Sequence, residues 1–225
     1  MMRALVIGAT GGIGAALADG LEARGSSVTR LSRRSTPPLD LTDEDSIAAA
    51  AGGLSDGAPF SRIIVATGLL HRPGLGPEKS WRQLDAAALA ESFAINTIGP
   101  ALVARHFLPL LDPAGRIAFL SARVGSISDN RLGGWYGYRA SKAALNQLVQ
   151  TLAIELGRSR PGTICVALHP GTVDTPLSAP FQRNVAPGKL FSPARSAACL
   201  LDILDRLTPT DSGGLFDWAG QRIAP

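Results

Sequence analysis

Residues 3–14 constrain the fold most. Arg3-Ala4-Leu5-Val6-Ile7 is a short apolar run rich in branched side chains. It is stopped by Gly8-Ala9-Thr10-Gly11-Gly12-Ile13-Gly14, after which Ala16, Leu17 and Leu21 recur at helical spacing. The pattern predicts a strand, a glycine turn and a helix. Such a turn aims backbone N–H groups and the positive end of a helix dipole at one point, which suits a pyrophosphate. Glycine is needed because a Cβ would block the turn or the close approach of the phosphate. The spacing Gly8-x-x-x-Gly12-x-Gly14 differs from G-x-G-x-x-G. Two readings stand, a nucleotide cradle and a plain tight connection, and the turn's place directly after the first strand favours the cradle.

The rest of the chain repeats the alternation. Ser27–Ser32 reads as a second strand after Gly25 stops the helix, and Arg62–Gly68 as a buried strand ending in glycine. Leu84–Leu111 is a long helical pattern containing Asn96. Arg116–Ser121 and Thr163–Leu168 read as further strands, the latter ending at His169-Pro170-Gly171. Pro193–Leu207 reads as a helix and Gly214–Trp218 as a last strand. Thr42, with Asp45 three residues on, is the expected N-cap of the helix that follows Asp40. Strands alternating with helices predict a parallel sheet covered on both faces, with ligands at the carboxyl ends of the strands. At 225 residues, with no linker, repeat or charge block, the chain reads as one domain, 1–225.

About twenty residues after the glycines, an acid would accept hydrogen bonds from the ribose 2′-OH of NAD, whereas arginine would favour the 2′-phosphate of NADP. Here Ser32 stands at the strand end and Arg33-Arg34 follow. This favours NADP(H) over NAD(H); the other reading is a solvated basic loop.

A net charge of +4 and a pI near 9.6 raise nucleic acid as a partner. The basic residues are dispersed, only Arg30, Arg33 and Arg34 cluster early, and aromatics are 5%, so the stripe of bases and rings that nucleic acid requires is missing. No run is read as approaching the ~20 apolar residues of a membrane span. Cys165 and Cys199, inside apolar runs, fit reduced thiols. Together these place the protein in the cytoplasm. His71, His106 and His169 lie at unrelated spacings, make no metal triad, and read as structural.

Tyr138 and Lys142 stand four apart in Tyr136-Gly137-Tyr138-Arg139-Ala140-Ser141-Lys142, on one face of the expected helix. An ammonium beside a phenol lowers the phenol pKa and makes it usable as an acid or base. Alone, the pair reads as a solvated helix face, and a catalytic reading needs a partner elsewhere in the chain.

These residues together resemble the short-chain dehydrogenase/reductase family, essentially end to end. The glycine turn, an Asp-Leu at Asp40 placed after the third strand, the Asn96 helix, Tyr138-x-x-x-Lys142 and Pro170-Gly171-x-Val173-x-Thr175 occur in the family's order. The loop 125–136 resembles the branch of sniffer-like carbonyl reductases and C-factor-type proteins. The resemblance implies a Rossmann-type doubly wound sheet in three layers, α/β/α. It implies that Tyr138 exchanges a proton with a carbonyl or alcohol oxygen while hydride moves to or from nicotinamide. Lys142 would lower the Tyr138 pKa and hold the nicotinamide ribose, and Asn96 would shape its helix and hold a relay water. Gly8, Thr10, Gly12, Ile13 and Gly14 would cradle the pyrophosphate, with Ser32, Arg33 and Arg34 at the adenosine end. Asp40 and Leu41 would contact adenine, and Ala66 and Gly68 the adjoining ribose. Pro170 and Gly171 would shape the loop that brings Val173 and Thr175 to the carboxamide. Plain turn or cap roles remain open for Asp40 and Thr175. A homodimer or homotetramer packed through the Asn96 and Tyr138 helices is also implied.

One position departs. Where the family places a serine that hydrogen-bonds the substrate oxygen, Ser121-Ala122-Arg123-Val124-Gly125 offers Ala122. Ser121 points to the other side of an extended strand. Ser126 keeps the parity of Ala122 if the backbone stays extended, and is the expected substitute. The substrate pocket is expected between 123–135 and a lid-like segment, 174–192, whose Leu177, Phe181, Val185 and Leu190 predict an apolar substrate or merely cover the core. The leading expectation is an NADP(H)-dependent carbonyl reductase. The alternative is a dinucleotide-binding regulatory protein with little turnover, motivated by Ala122.

Overall fold

The first apolar run and its successors pair side by side. In the computed structural model, which describes residues 2–225, β1 (Arg3–Ile7) lies between β2 (Ser27–Leu31) and β3 (Phe60–Val65). Beyond β3 the sheet continues with β4 (Leu111–Leu120), β5 (Ile164–His169), β8 (Leu215–Asp217) and β9 (Arg222–Ile223), in the order β2-β1-β3-β4-β5-β8-β9. All neighbours run parallel except β9, a short antiparallel return on β8 that the sequence reading did not foresee. A separate two-stranded ladder joins β6 (Thr172–Val173) and β7 (Leu190–Phe191).

Alternate strand residues feed two cores, as the two-residue period of a strand requires. Leu5, Ile7, Ile63, Val65, Ile117 and Phe119 face Ile47 of α2 (Glu44–Gly52), Val103 and Phe107 of α4 (Gly99–Phe107), and Leu145 and Val149 of α5 (Tyr136–Ser159). Ala4, Val6, Ile64, Ala118 and Leu120 face Leu17 and Leu21 of α1 (Gly12–Ala23) and Leu200, Leu201 and Leu204 of α6 (Pro193–Arg206). The result is the doubly wound α/β/α arrangement expected. The chain leaves β1 toward β2 and returns toward β3, so the strand order reverses there and opens a crevice at the carboxyl ends.

Four local expectations are corrected. The long helical pattern around Asn96 is α3 (Ala86–Phe93), a π turn (Ala94–Ile98) and α4, closed by a 3-10 turn at Leu108–Leu110. This run, Ala86–Leu110, is also long and apolar enough by composition to cross a membrane, contrary to the span reading above. It is built into the domain, because Val103, Ala104 and Phe107 are buried against the sheet. The N-cap of α2 is Asp43 and not Thr42: the Asp43 carboxylate accepts from the N–H groups of Asp45 and Ser46, which a side chain one residue earlier could not reach together. Asp40-Leu41 follows β2 and precedes α2, so the pair stands before β3 rather than after it.

Candidate active site

The glycine turn is built by contacts that exclude side chains. Gly8 has φ +88°, and a Cβ on it would stand 2.8 Å from the Ala66 carbonyl oxygen. A Cβ on Gly14 would run into the Gly8 carbonyl, and one on Gly12 would stand 2.7 Å from Thr175 Cγ2. α1 begins at Gly12 behind an extended Gly11 with no side-chain cap, and its first turn holds no acid. Its first N–H groups are therefore open to an anion, the arrangement a pyrophosphate requires. Ile13 instead turns its side chain into the α1/α6 core.

From this turn a cleft of about 460 Å³ runs along the carboxyl ends of β1, β2 and β3, lined by Thr10, Ser32, Arg33, Asp40, Leu41, Ala66 and Gly68 among others. Of the two expected arginines, Arg33 lines this cleft and Arg34 does not. The third basic residue of that cluster, Arg30, is spent on α1, pairing with Asp19 at 2.7 Å and Glu22 at 2.8 Å. The Asp40 carboxylate accepts from the Thr42 N–H and hydroxyl, which hold its pKa below the usual range, with nearby Arg33 adding to the effect. Asp40 is thus a turn former and a cleft wall at once.

α5 enters beside the cleft with Tyr138 in its first turn and Lys142 one turn on. Lys142 is 2% exposed; its Nζ donates to the Leu120 carbonyl at 2.9 Å and lies 5.9 Å from the centre of the Tyr138 ring. Burial draws the ammonium down to about 7 and pushes the phenol up to about 12. The phenol shift is opposite to the expected lowering. Desolvation of the ring disfavours the phenolate, and Lys142, with Nζ 5.9 Å from the ring centre, does not reverse it.

Asn96 is fully buried in the π turn. Its Oδ1 accepts from Leu69 N at 2.8 Å, and its Nδ2 donates to Leu69 O at 2.8 Å and to Ser141 Oγ at 3.1 Å. Ser141 in turn donates to the Tyr138 carbonyl. Asn96 therefore clips the cleft wall at Leu69 to the turn that carries Tyr138, and the π turn presents it, a common use of such turns at functional sites. Gly68 borders both: a Cβ there would stand 3.5 Å from Asn96 Oδ1 and from Lys142 Nζ.

Pro170-Gly171 follows β5, with the Pro170 carbonyl held by Ser196 Oγ at 2.8 Å and Gly171 at φ +79° against Phe191 and Trp218. Val173 is buried and Thr175 abuts the glycine turn. Thr175 is not a helix cap; the 3-10 turn at Ala179–Asn184 takes Ser178 in that place. The lid segment reaches the opposite wall through His71, which the sequence reading left as structural: it lines the cleft and its Nε2 lies 3.1 Å from the Pro176 carbonyl oxygen.

The two serines considered for the Ala122 role are both engaged elsewhere. Ser121 Oγ donates to Asn146 Oδ1 at 2.6 Å. A 3-10 turn at Arg123–Gly125 breaks the extended backbone on which the parity of Ser126 depended. Ser126 Oγ accepts from Asp129 N at 3.1 Å and lines a separate hollow beside Tyr136, Arg139 and Ala140. No hydrogen bond joins it to Tyr138 among the described residues. Glu78 was missed altogether. Only 8% exposed, it turns its carboxylate onto Gly137 N, with Oε2 at 3.1 Å, and caps the uncapped start of α5. A carboxylate 59 residues away leaves no local signal.

A model of the short chain dehydrogenase family matches residues 2–186. Among curated proteins, the chain is 32% identical over 204 residues to 1-hydroxy-2-glutathionyl-2-methyl-3-butene dehydrogenase of Rhodococcus sp. (strain AD45), covering 89% of this chain and 82% of that protein. It is 38% identical over 143 residues to the C-signal protein of Myxococcus xanthus, covering 62% of this chain and 80% of that one. Among solved structures, NADPH-bound carbonyl reductase from chicken fatty liver superposes with a TM-score of 0.85 at 26% identity, covering 100% of this chain and 99% of that one.

Proposed function

This chain belongs to the short chain dehydrogenase family, and from that premise we propose that it is an NADP(H)-dependent oxidoreductase that interconverts a small carbonyl compound and its alcohol. The observation that carries the reading is the Tyr138 turn, clipped by Asn96 to the wall of a dinucleotide-shaped cleft. The NADPH held by the chicken carbonyl reductase supports the choice of cofactor, as does Arg33 in the cleft wall.

The residues fit that cofactor. The glycine turn and the free start of α1 hold the pyrophosphate, Ser32 and Arg33 the adenosine end, and Val173 with Thr175 the carboxamide. Bound there, the nicotinamide supplies or accepts the hydride. Tyr138 holds the proton. With its phenol pushed up to about 12, Tyr138 is protonated at neutral pH and is equipped to donate to a carbonyl oxygen. Lys142, when protonated, stabilises the phenolate left behind. Asn96 and Glu78 keep the Tyr138 turn in place. Phe181 on the lid, packed against Trp135 beside Tyr138, supports an apolar substrate. The protein is proposed to pack as a homodimer or homotetramer through α4 and α5, where Ile154 is 49% exposed and Ile98, just before α4, is 53% exposed; light scattering tests this.

The deciding assay follows NADPH consumption with a panel of aldehydes and ketones, wild type against Tyr138→Phe. A loss of at least about 10²-fold is expected in the variant. Undiminished turnover would sink the assignment of Tyr138. Tight NADPH binding with no turnover of any substrate would favour a regulatory dinucleotide-binding protein, a reading that Ala122 and the likeness to C-signal motivate.

A further inference from the structure

Trp135 is the one non-glycine residue with a left-handed backbone among the described residues, at φ +53° and ψ 43°. A bulky side chain rarely takes this conformation, and where the surroundings enforce it the strain marks a functional constraint. Here the enforcement is explicit. Gly133 and Gly134 precede it at φ +63° and +66°, and Trp135 N donates to the Glu78 carbonyl at 2.5 Å. The turn throws the indole over the start of α5, where its ring stands edge-on to Tyr138, centroids 6.3 Å apart at 70°. Phe181 of the lid also packs against the indole, at 5.1 Å and 59°. His71 then meets Phe181 at 5.5 Å and 74°, and its Nε2 lies against the Pro176 carbonyl at 3.1 Å. Four rings from three separate stretches of chain thus meet pair by pair, from Tyr138 at the start of α5 through Trp135 and Phe181 to His71.

We propose that Trp135 and Phe181 form an aromatic clasp that selects carbonyl substrates carrying a flat aromatic group beside the carbonyl, with His71 latching the lid that brings Phe181 down. The inference deepens the reduction reading and rests on it. A substrate whose oxygen meets Tyr138 extends its next group along these rings. Aromatic faces and edges there attract a planar π system more strongly than a puckered saturated ring of equal carbon number, because ring quadrupoles add to burial. The indole is too close to Tyr138 for this to be a remote cover of the core. Its left-handed backbone also explains the paired glycines ahead of it, which the glycine turn and the proton donor do not use.

The test compares benzaldehyde with cyclohexanecarbaldehyde, which differ in flatness and not in carbon skeleton. In Phe181→Ala the ratio of kcat/KM for the flat over the puckered substrate is expected to fall about 3–10-fold, chiefly through KM, as expected for loss of an aromatic pair. The Kd for NADPH should stay unchanged. Trp135→Gly, which accepts the left-handed backbone, should show the same loss, and Trp135→Phe should restore most of the preference. An unchanged ratio in both Phe181→Ala and Trp135→Gly would overturn the clasp while leaving the reduction reading intact. If wild type turns over neither aldehyde, the reduction reading is left to the wider panel of aldehydes and ketones, and tryptophan fluorescence decides the clasp separately. Quenching by benzaldehyde that Trp135→Phe abolishes would support it, and quenching that persists in Trp135→Phe, or none, would overturn it.

Discussion

Gly12 and Thr175 touch across the mouth of the cleft: a Cβ on Gly12 would stand 2.7 Å from Thr175 Cγ2. The phosphate turn and the loop after β5 are therefore fitted to one another, though 163 positions separate them. Gly12→Ala is expected to weaken NADPH binding, and Thr175→Ser, which removes Cγ2, should restore it in the double variant. Calorimetric titration of the two single variants and the double variant reads this coupling; strict additivity would refute it. Gly14→Ala differs in kind. Its Cβ meets the Gly8 carbonyl, which cannot rotate away, so a stability loss of about 1–3 kcal/mol is expected from urea unfolding.

Arg33 and Arg34, adjacent in sequence, should separate sharply in cofactor selection. Only Arg33 lines the cleft. Arg33→Ala should raise the Kd for NADPH about tenfold, the low end for a charge-assisted hydrogen bond at an exposed site, and leave NADH nearly unchanged. Arg34→Ala should stay within about twofold for both. Equal losses for NADPH and NADH in Arg33→Ala would remove the 2′-phosphate role.

Lys142 should cost stability at neutral pH. Its folded pKa of about 7 lies below its ordinary value of 10.5. Between those values the unfolded chain holds a proton that the folded chain does not, so the stability set by this group rises as pH rises from about 7 to 10.5. Lys142→Met removes the penalty. The variant should be more stable than wild type at pH 7, on the order of 1–4 kcal/mol, as when buried charges give way to apolar side chains. The gap should close toward pH 10. Urea midpoints at pH 7, 8.5 and 10 measure it; a variant less stable at pH 7 would contradict the buried-amine account.

What could be read from the chain alone was what depends on neighbours in sequence or on the two-residue and helical periods. The sheet, the glycine turn at Gly8–Gly14 and the position of Arg33 in the cleft wall follow from such local rules. The cap of α2 was misplaced by one residue because Thr42 and Asp43 are both capping types, and only the reach to Asp45 N and Ser46 N decides between them. The direction of the Tyr138 shift was missed because desolvation depends on what the whole fold packs around the ring. The parity argument for Ser126 does not hold, because a single 3-10 turn resets the alternation beyond Ala122. Glu78 and His71 act across 59 and 105 positions respectively, distances at which no periodic signal survives.

The position most open to improvement is Ala122. It stands two residues past β4, just before the 3-10 turn, with an extended backbone, φ −147° and ψ 147°, and is 8% exposed. A hydroxyl there costs little space and no strain, since serine adopts this backbone freely. An oxygen-directed donor beside a reacting carbonyl is worth about 10²–10³ in kcat where the site is organised around it. Here the surroundings are not, so Ala122→Ser should raise kcat for aldehyde reduction by a smaller factor, about tenfold. The Kd for NADPH should not move. Ser126→Ala, by contrast, should loosen the turn at Asp129 and leave kcat close to wild type, because that hydroxyl already serves the loop. A fall in kcat in Ser126→Ala with no gain in Ala122→Ser would mean that the substrate oxygen lies nearer the 126–129 turn than the end of β4.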